Sequence, residues 1–390
     1  VILPPATLGL LGGGQLGRYF TISARNMGYR VWVLDPDPDS PAGRLADRHL
    51  CARFDDPGAL AELATQAAVV TCEFENVPAD SAGWLAGRVL LRPDPRALAI
   101  AQDRLAEKRF LEDAGVAVAP WLPVEDLEAA RAAVPDWSLP AILKTARLGY
   151  DGKGQLPVRT RDDVARAFSR LGEVPCVLEQ RVDLQQEVSV VLARAPDGSC
   201  RCFPLAENEH RGGILHLSRV PARVSDAIRE QAEAIARHIA ERLDYQGVLA
   251  VEFFVTASGK LLVNEAAPRP HNSGHYTLDA VTVSQFEQQV RAICGLALVP
   301  AERVAPAAML NLLGDLWPAN GAVPDFSGLL SHPRARLHLY GKPVARPGRK
   351  MGHVNILGAP GEADASRPAR LAEILWTELR DSATEGAGDG

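Results

Sequence analysis

Short apolar runs and helix-compatible stretches alternate from the start of the chain. Residues 7–11 (Thr-Leu-Gly-Leu-Leu) read as a buried strand, 18–27 are helix-compatible, and 29–35 read as a second strand. A third strand covers 69–74. Strands alternating with helices predict an α/β unit built on a parallel sheet. Arg92-Pro93-Asp94-Pro95 then breaks the pattern. Asp103 is placed to cap a helix over 104–113, with Arg104 and Lys108 four apart on one face. Gly115 and Pro120 close that helix. Beyond it come apolar strands at 140–144 and 177–182, then 249–255 and 260–265 around a turn at 256–259. With the turn near residue 258, Glu252 falls opposite residue 264 or 265.

Polar clusters at the strand ends supply candidate chemistry. Gly12-Gly13-Gly14-Gln15-Leu16-Gly17 follows the first strand, and Asp35 ends the second. Taken alone, this is a dinucleotide fingerprint, which suits an NAD-dependent oxidoreductase. It is equally a tight turn in an open sheet. The third strand ends in Glu73, Glu75 and Asn76, at an edge where such sheets place ligands. Lys144 ends its strand just before Gly149-Tyr150-Asp151-Gly152-Lys153-Gly154-Gln155. Three glycines in that loop let backbone N–H groups approach phosphate oxygens, and the lysines add charge. The spacing is neither a Walker A motif nor a protein-kinase set. Glu179, with the backbone at Arg181 and Val182, could bind an adenine edge, and Glu187 ribose hydroxyls; each also reads as an ordinary strand glutamate. Glu252, Asn264 and Glu265 gather at the open end of one apolar hairpin. Buried acids without a cation are costly, so this cluster suggests Mg²⁺. The loop from Pro268 to His275, with Arg269 and His271, is dense in donors and suits phosphoryl transfer.

Composition narrows the class. The chain has 390 residues, enough for two or three domains, and a net charge of −6, which argues against nucleic acid as a partner. No apolar run approaches the roughly 18 residues of a membrane helix. The first residues carry no basic n-region and do not read as a signal peptide. Six cysteines without a CxxC pair suggest a reduced, cytoplasmic setting. Of 42 basic residues only six are lysine, and Lys108, Lys144, Lys153 and Lys350 all lie in motifs. A compact ammonium surviving in an arginine-rich chain marks phosphate-side candidates.

The ordered motifs carry a resemblance. GGGQLGR (12–18), EFENVP (73–78), QDRLAEK (102–108), GYDGKGQ (149–155), EQRV (179–182), NEAAPRPHNSGHYT (264–277) and RPGRKMGHVN (346–355) resemble the N5-carboxyaminoimidazole ribonucleotide synthetases of the ATP-grasp superfamily. The likeness spans about residues 6–357. It implies a Rossmann-like pre-ATP-grasp domain (1–107), an ATP-grasp domain (108–293) and a small β-rich C-terminal domain with a flexible tail (294–390). The implied reaction is carboxylation of 5-aminoimidazole ribonucleotide by bicarbonate and ATP, through carboxyphosphate, in purine biosynthesis. A formate-dependent glycinamide ribonucleotide transformylase is the nearest alternative within the superfamily.

The resemblance also implies roles. ATP would meet Arg104, Lys144, Gly149, Tyr150, Asp151, Gly152, Lys153, Gly154, Gln155, Glu179, Gln180, Arg181, Val182, Glu187, His210, Asn264 and Glu265. Glu252 and Glu265 would hold Mg²⁺, two ions as the resemblance implies, with Mn²⁺ as a substitute. Asp151, Lys153, Arg269 and His271 would face bicarbonate or carboxyphosphate. Gln15, Glu73, Tyr150, Arg349, Lys350 and His353 would face the nucleotide substrate. A homodimer is expected. The 149–155 loop and the 207–216 segment are expected to act as mobile lids, and 383–390 to be disordered. Cys72 and Ala266 depart from the family's larger residues without touching a motif.

Overall fold

The computed structural model describes residues 1–131, 139–149, 152–318 and 321–385. Among these residues the strands form three sheets. The first is parallel, in the order Arg48–Leu50, Arg30–Leu34, Thr7–Leu11, Val69–Cys72. Its strands are apolar on both faces because both are covered. Leu11, Leu34 and Val70 pack on Leu60 and Leu63, whereas Leu10, Val33 and Val69 pack on Phe20, Val290 and Ile293. Val290 and Ile293 belong to the helix Gln285–Cys294, which thereby locks the first sheet to the middle of the chain.

A small antiparallel sheet follows, in the order Trp121–Val124, Cys176–Gln180, Ala141–Thr145, Gln155–Val158. The helix Arg161–Arg170 covers it. Thr160 and Asp163 form a capping box at the start of that helix, while Val164 and Phe168 face the sheet.

The large sheet is antiparallel. It runs Leu261–Ala267, Gly247–Thr256, Leu184–Arg194, Ala206–Arg211, Ile214–Val220, Ala307–Leu313, Lys350–Leu357, Ala335–Leu339. Its last three strands continue the sheet across the pairing of Leu217 with Leu310. The segment 207–216, expected to be a lid, lies mostly in two strands of this sheet. Gly212 and Gly213, at φ +59° and +81°, form the tip between them.

The tail departs from expectation. Ser366–Glu385 is one helix, so residues 383–385 are ordered; 386–390 lie outside the described residues. Ala369, Ala372, Leu375 and Leu379 recur every three to four residues and bury against Leu310, Leu312, Val354 and Ile356. Among the described residues no helix is long and apolar enough to cross a membrane.

Candidate active site

One cavity of about 970 Å³ opens between the small sheet and the large sheet, with the first sheet's loops at its rim. Each wall follows from local sequence. Asp103 caps the helix Arg104–Asp113 by accepting from Leu105 and Ala106 N–H groups at 2.9 and 3.4 Å. That fixes Arg104 at the first turn, where its Nη1 reaches Glu265 Oε2 at 3.1 Å and its Nη2 donates to Gly149 O at 3.4 Å. The hairpin register pairs Glu252 directly with Glu265, and Asn264 sits beside them on the wall.

The small sheet supplies the other side. Lys144 ends its strand at 8% exposure and donates to Glu179 Oε1 at 3.0 Å. Glu179, Gln180, Arg181 and Val182 line the wall, as do Gly149, Gly152 and Gln155. Gly152 and Gly154 stand at φ +75° and +71°, a region that favours glycine. A Cβ on Gly152 would press on the Gly212 carbonyl at 3.0 Å, so the loop runs against the tip of the 207–216 hairpin. Lys153 is exposed, and neither it nor Gly154 lines the cavity. The structure thus does not place Lys153 on the wall where it was expected to face carboxyphosphate. Tyr150 and Asp151 lie outside the described residues.

Charge is dense here. Glu187 Oε2 lies 2.6 Å from His210 Nδ1. Burial lowers the His210 pKa, but the carboxylates of Glu187, Glu252 and Glu265 outweigh it and the net shift is upward. Glu252 is pushed up to about 7 by burial and by the Glu265 charge. Glu265 is partly buried, yet the Arg104 guanidinium holds it below the usual carboxylate range. His271 Nε2 is 3.3 Å from Glu252 Oε1. Burial and the nearby Arg269 hold His271 far below its ordinary value, so this contact joins a neutral imidazole to a carboxyl near neutrality. Glu187, His210 and Glu252 offer ligand atoms within 4.8 Å of one another. This set offers two carboxylate oxygens and one imidazole nitrogen, and Glu265 faces Glu252 across the hairpin; such donors fit a divalent cation, whose charge would relieve the upward shift at Glu252.

The first unit contributes Gln15 and the 73–76 segment. Arg269 Nε donates to Glu75 Oε2 at 2.6 Å, tying the loop after the hairpin to the first sheet. Glu73 has a different task from the expected one. Its Oε1 accepts from Gly14 N–H and its Oε2 from Gly17 N–H at 2.7 Å. Asp35 Oδ2 accepts from Gly13 N–H at 2.6 Å. Two carboxylates of the chain therefore fill the anion position that a dinucleotide would take, and the oxidoreductase reading falls. Glu73 still touches the cavity, but only its remaining lone pairs are open to a substrate.

Lys350 lines the cavity; its neighbours in the same motif do not. Arg349 Nη1 donates to Val344 O at 2.6 Å and closes its own loop. His353 is fully buried. Its ring stacks between His275 and His338, at 4.4 and 4.5 Å, and its Nδ1 meets Tyr340 Oη at 2.9 Å. The structure places neither Arg349 nor His353 on the cavity wall, where contact with substrate was expected. His353 is instead held inside the stack of histidine rings.

Glu107 was passed over as a site residue; it accepts from Ala266 N–H at 2.6 Å. Lys108, a phosphate-side candidate in the sequence, lies behind the cavity wall with its Nζ 2.9 Å from Glu179 Oε2. A signal for that burial existed. Leu105, Lys108 and Leu111 share one helical stripe, and a lysine on an apolar stripe calls for a buried partner.

Comparison with known proteins agrees with this architecture. The ribonucleotide synthetase preATP-grasp domain matches residues 5–102, and the ATP-grasp domain matches 109–286. The phosphoribosylaminoimidazole carboxylase C-terminal domain matches 307–366. The N5-carboxyaminoimidazole ribonucleotide synthase of Brucella melitensis is 46% identical over 90% of this chain and 96% of its own. A crystal structure of an N5-carboxyaminoimidazole ribonucleotide synthetase in complex with ADP superposes with a TM-score of 0.90 at 42% identity, covering 97% of this chain and 99% of that one. The Aspergillus clavatus synthase, solved with ADP and 5-aminoimidazole ribonucleotide, gives 0.84 at 30% identity, with 97% and 99% covered. The chain belongs to the N5-carboxyaminoimidazole ribonucleotide synthase family of ATP-grasp ligases.

Proposed function

We propose that the chain uses ATP and bicarbonate to carboxylate the amino group of 5-aminoimidazole ribonucleotide, releasing N5-carboxyaminoimidazole ribonucleotide, ADP and phosphate. The observation that carries this reading is the composition of one cavity. It joins a phosphate-type wall (Lys144, Gly149, Gly152), a facing pair of acids (Glu252, Glu265) and polar groups from both ends of the chain (Gln15, Lys350). Two substrates thus meet in one enclosure.

The division of labour follows from position. Lys144, Arg104 and the backbone of 149–155 bind the phosphates. Glu179, Gln180, Arg181 and Val182 border the adenine, while Glu187 and His210 border the ribose. Glu252 and Glu265, with Asn264 beside them, would hold Mg²⁺. When bound, that ion would neutralise charge building on the transferring phosphoryl group. Arg269 is held by Glu75 and, with His271, borders bicarbonate; a neutral His271 can hydrogen-bond without adding charge. Gln15, Glu73 and Lys350 border the nucleotide substrate, with Tyr150 and Asp151 assigned from the motif alone. Carboxyphosphate is short-lived in water, so the walls must exclude solvent until the amine is in place. The division at residues 107 and 293, a cytoplasmic setting and a homodimer complete the proposal.

The test is ADP formation with each co-substrate omitted in turn. Turnover is expected to need both bicarbonate and 5-aminoimidazole ribonucleotide. Full turnover with formate in place of bicarbonate would overturn the assignment.

A further inference from the structure

Behind the cavity wall lies a charged group that these roles leave unused. Lys108 is 3% exposed and does not line the cavity. Its Nζ lies 2.9 Å from Glu179 Oε2 and donates to Asn264 O at 3.2 Å. The other oxygen of Glu179 accepts from Lys144 at 3.0 Å. One buried carboxylate is thus shared by two ammonium groups, one facing the cavity and one behind it. Together the lysines hold Glu179 below the usual carboxylate range despite its burial.

The sharing has a consequence for Lys144. A buried one-to-one ion pair resists separation, because removing either partner strands a charge in a poorly solvated place. Lys144 paired only with Glu179 would have to break such a pair to reach a phosphate. With Lys108 present, Glu179 keeps a counter-ion when Lys144 turns away. Lys108 also joins the two sheets that enclose the cavity, since Glu179 belongs to the small sheet and Asn264 to the large one.

We propose that Lys108 is a positioning residue: as the standing counter-ion of Glu179, it releases Lys144 to the phosphates of ATP. This inference rests on the ATP reading of the cavity. Because Lys144 would bind phosphate alike before and during transfer, the effect belongs in KM and not in kcat.

The experiment measures KM for ATP and kcat in wild type, Lys108→Met, Glu179→Gln and the double variant Lys108→Met/Glu179→Gln. Lys108→Met is expected to raise KM about tenfold or more with kcat within about threefold. Glu179 itself borders the ATP site, so the double variant is compared with Glu179→Gln: with no carboxylate left to strand, Lys108→Met is expected to change KM by less than about threefold in that background. A merely structural lysine gives the same loss in both backgrounds. An unchanged KM in Lys108→Met, a loss confined to kcat, or an equal loss in both backgrounds overturns the proposal. Should Lys108→Met not fold, the comparison of the double variant with Glu179→Gln decides alone by the same threefold limit. Wild-type protein without ATP turnover overturns both this inference and the function beneath it, whereas normal wild-type turnover with unaltered variants overturns this inference only.

Discussion

Gly12–Gly14 and Gly149–Gly154 are both glycine-rich turns that follow buried strands, and in sequence both suggest a phosphate. In the first, Glu73 and Asp35 accept the N–H groups of Gly13, Gly14 and Gly17. In the second, Lys144 stands at the strand end and the loop borders an open cavity. The first turn is closed by the chain's own anions, the second is left for an anion from outside. Glycine permits close approach; the charge of the neighbouring side chains decides what approaches.

The comparison is broken most severely at the open turn. Glu265→Gln is expected to reduce ATP turnover to background, because it removes a charged oxygen from the facing pair that would hold the metal. Wild-type ADP release by that variant would sink the metal assignment. Lys144→Met comes next. Losing one charge-assisted contact to phosphate, about 3 kcal/mol, lowers kcat/KM on the order of a hundredfold. Steady-state ADP release reads it, and a value close to wild type would leave the open turn without its phosphate role.

What the sequence discloses here follows separation along the chain. The facing of Glu252 and Glu265 was legible because a hairpin register needs only a turn and a period of two. The helix 104–113 was legible from its cap and its stops, and the structure bounds it at Arg104–Asp113. The closure of the first turn was not, because Glu73 lies 59 residues from Gly14. No local pattern tells a fingerprint glycine whose anion is a ligand from one whose anion is a distant side chain. Motif membership misled at His353, whose ring packs between those of His275 and His338, away from the cavity.

At the closed turn the expected effect is smaller and concerns stability. Glu73→Ala leaves the Gly14 and Gly17 N–H groups without their acceptor, at a cost of about 2 kcal/mol. It also reopens a helix N-terminus to outside anions. Sulfate is expected to raise the melting temperature of the variant more than that of wild type. Equal responses would mean that Glu73 does not occupy an anion site.

The smallest effect separates the two turns by the sign of their pH response. Glu73 is partly buried among amides; burial raises its pKa, and the N–H groups of Gly17 and Gly14 only partly counter this. A carboxyl raised on folding contributes most below its unfolded value of about 4.5, and the contribution is lost as pH rises through the folded value. Glu179 is buried as well, but Lys144 and Lys108 pull it the other way. Its contribution is full above about 4.5 and is lost as pH falls toward the depressed folded value. Denaturant midpoints of wild type, Glu73→Gln and Glu179→Gln across about pH 3.5 to 7.5 test this. The margin of wild type over Glu73→Gln should shrink as pH rises, and its margin over Glu179→Gln should shrink as pH falls. Margins that move in the same direction would mean that the neighbouring cations do not distinguish the two turns.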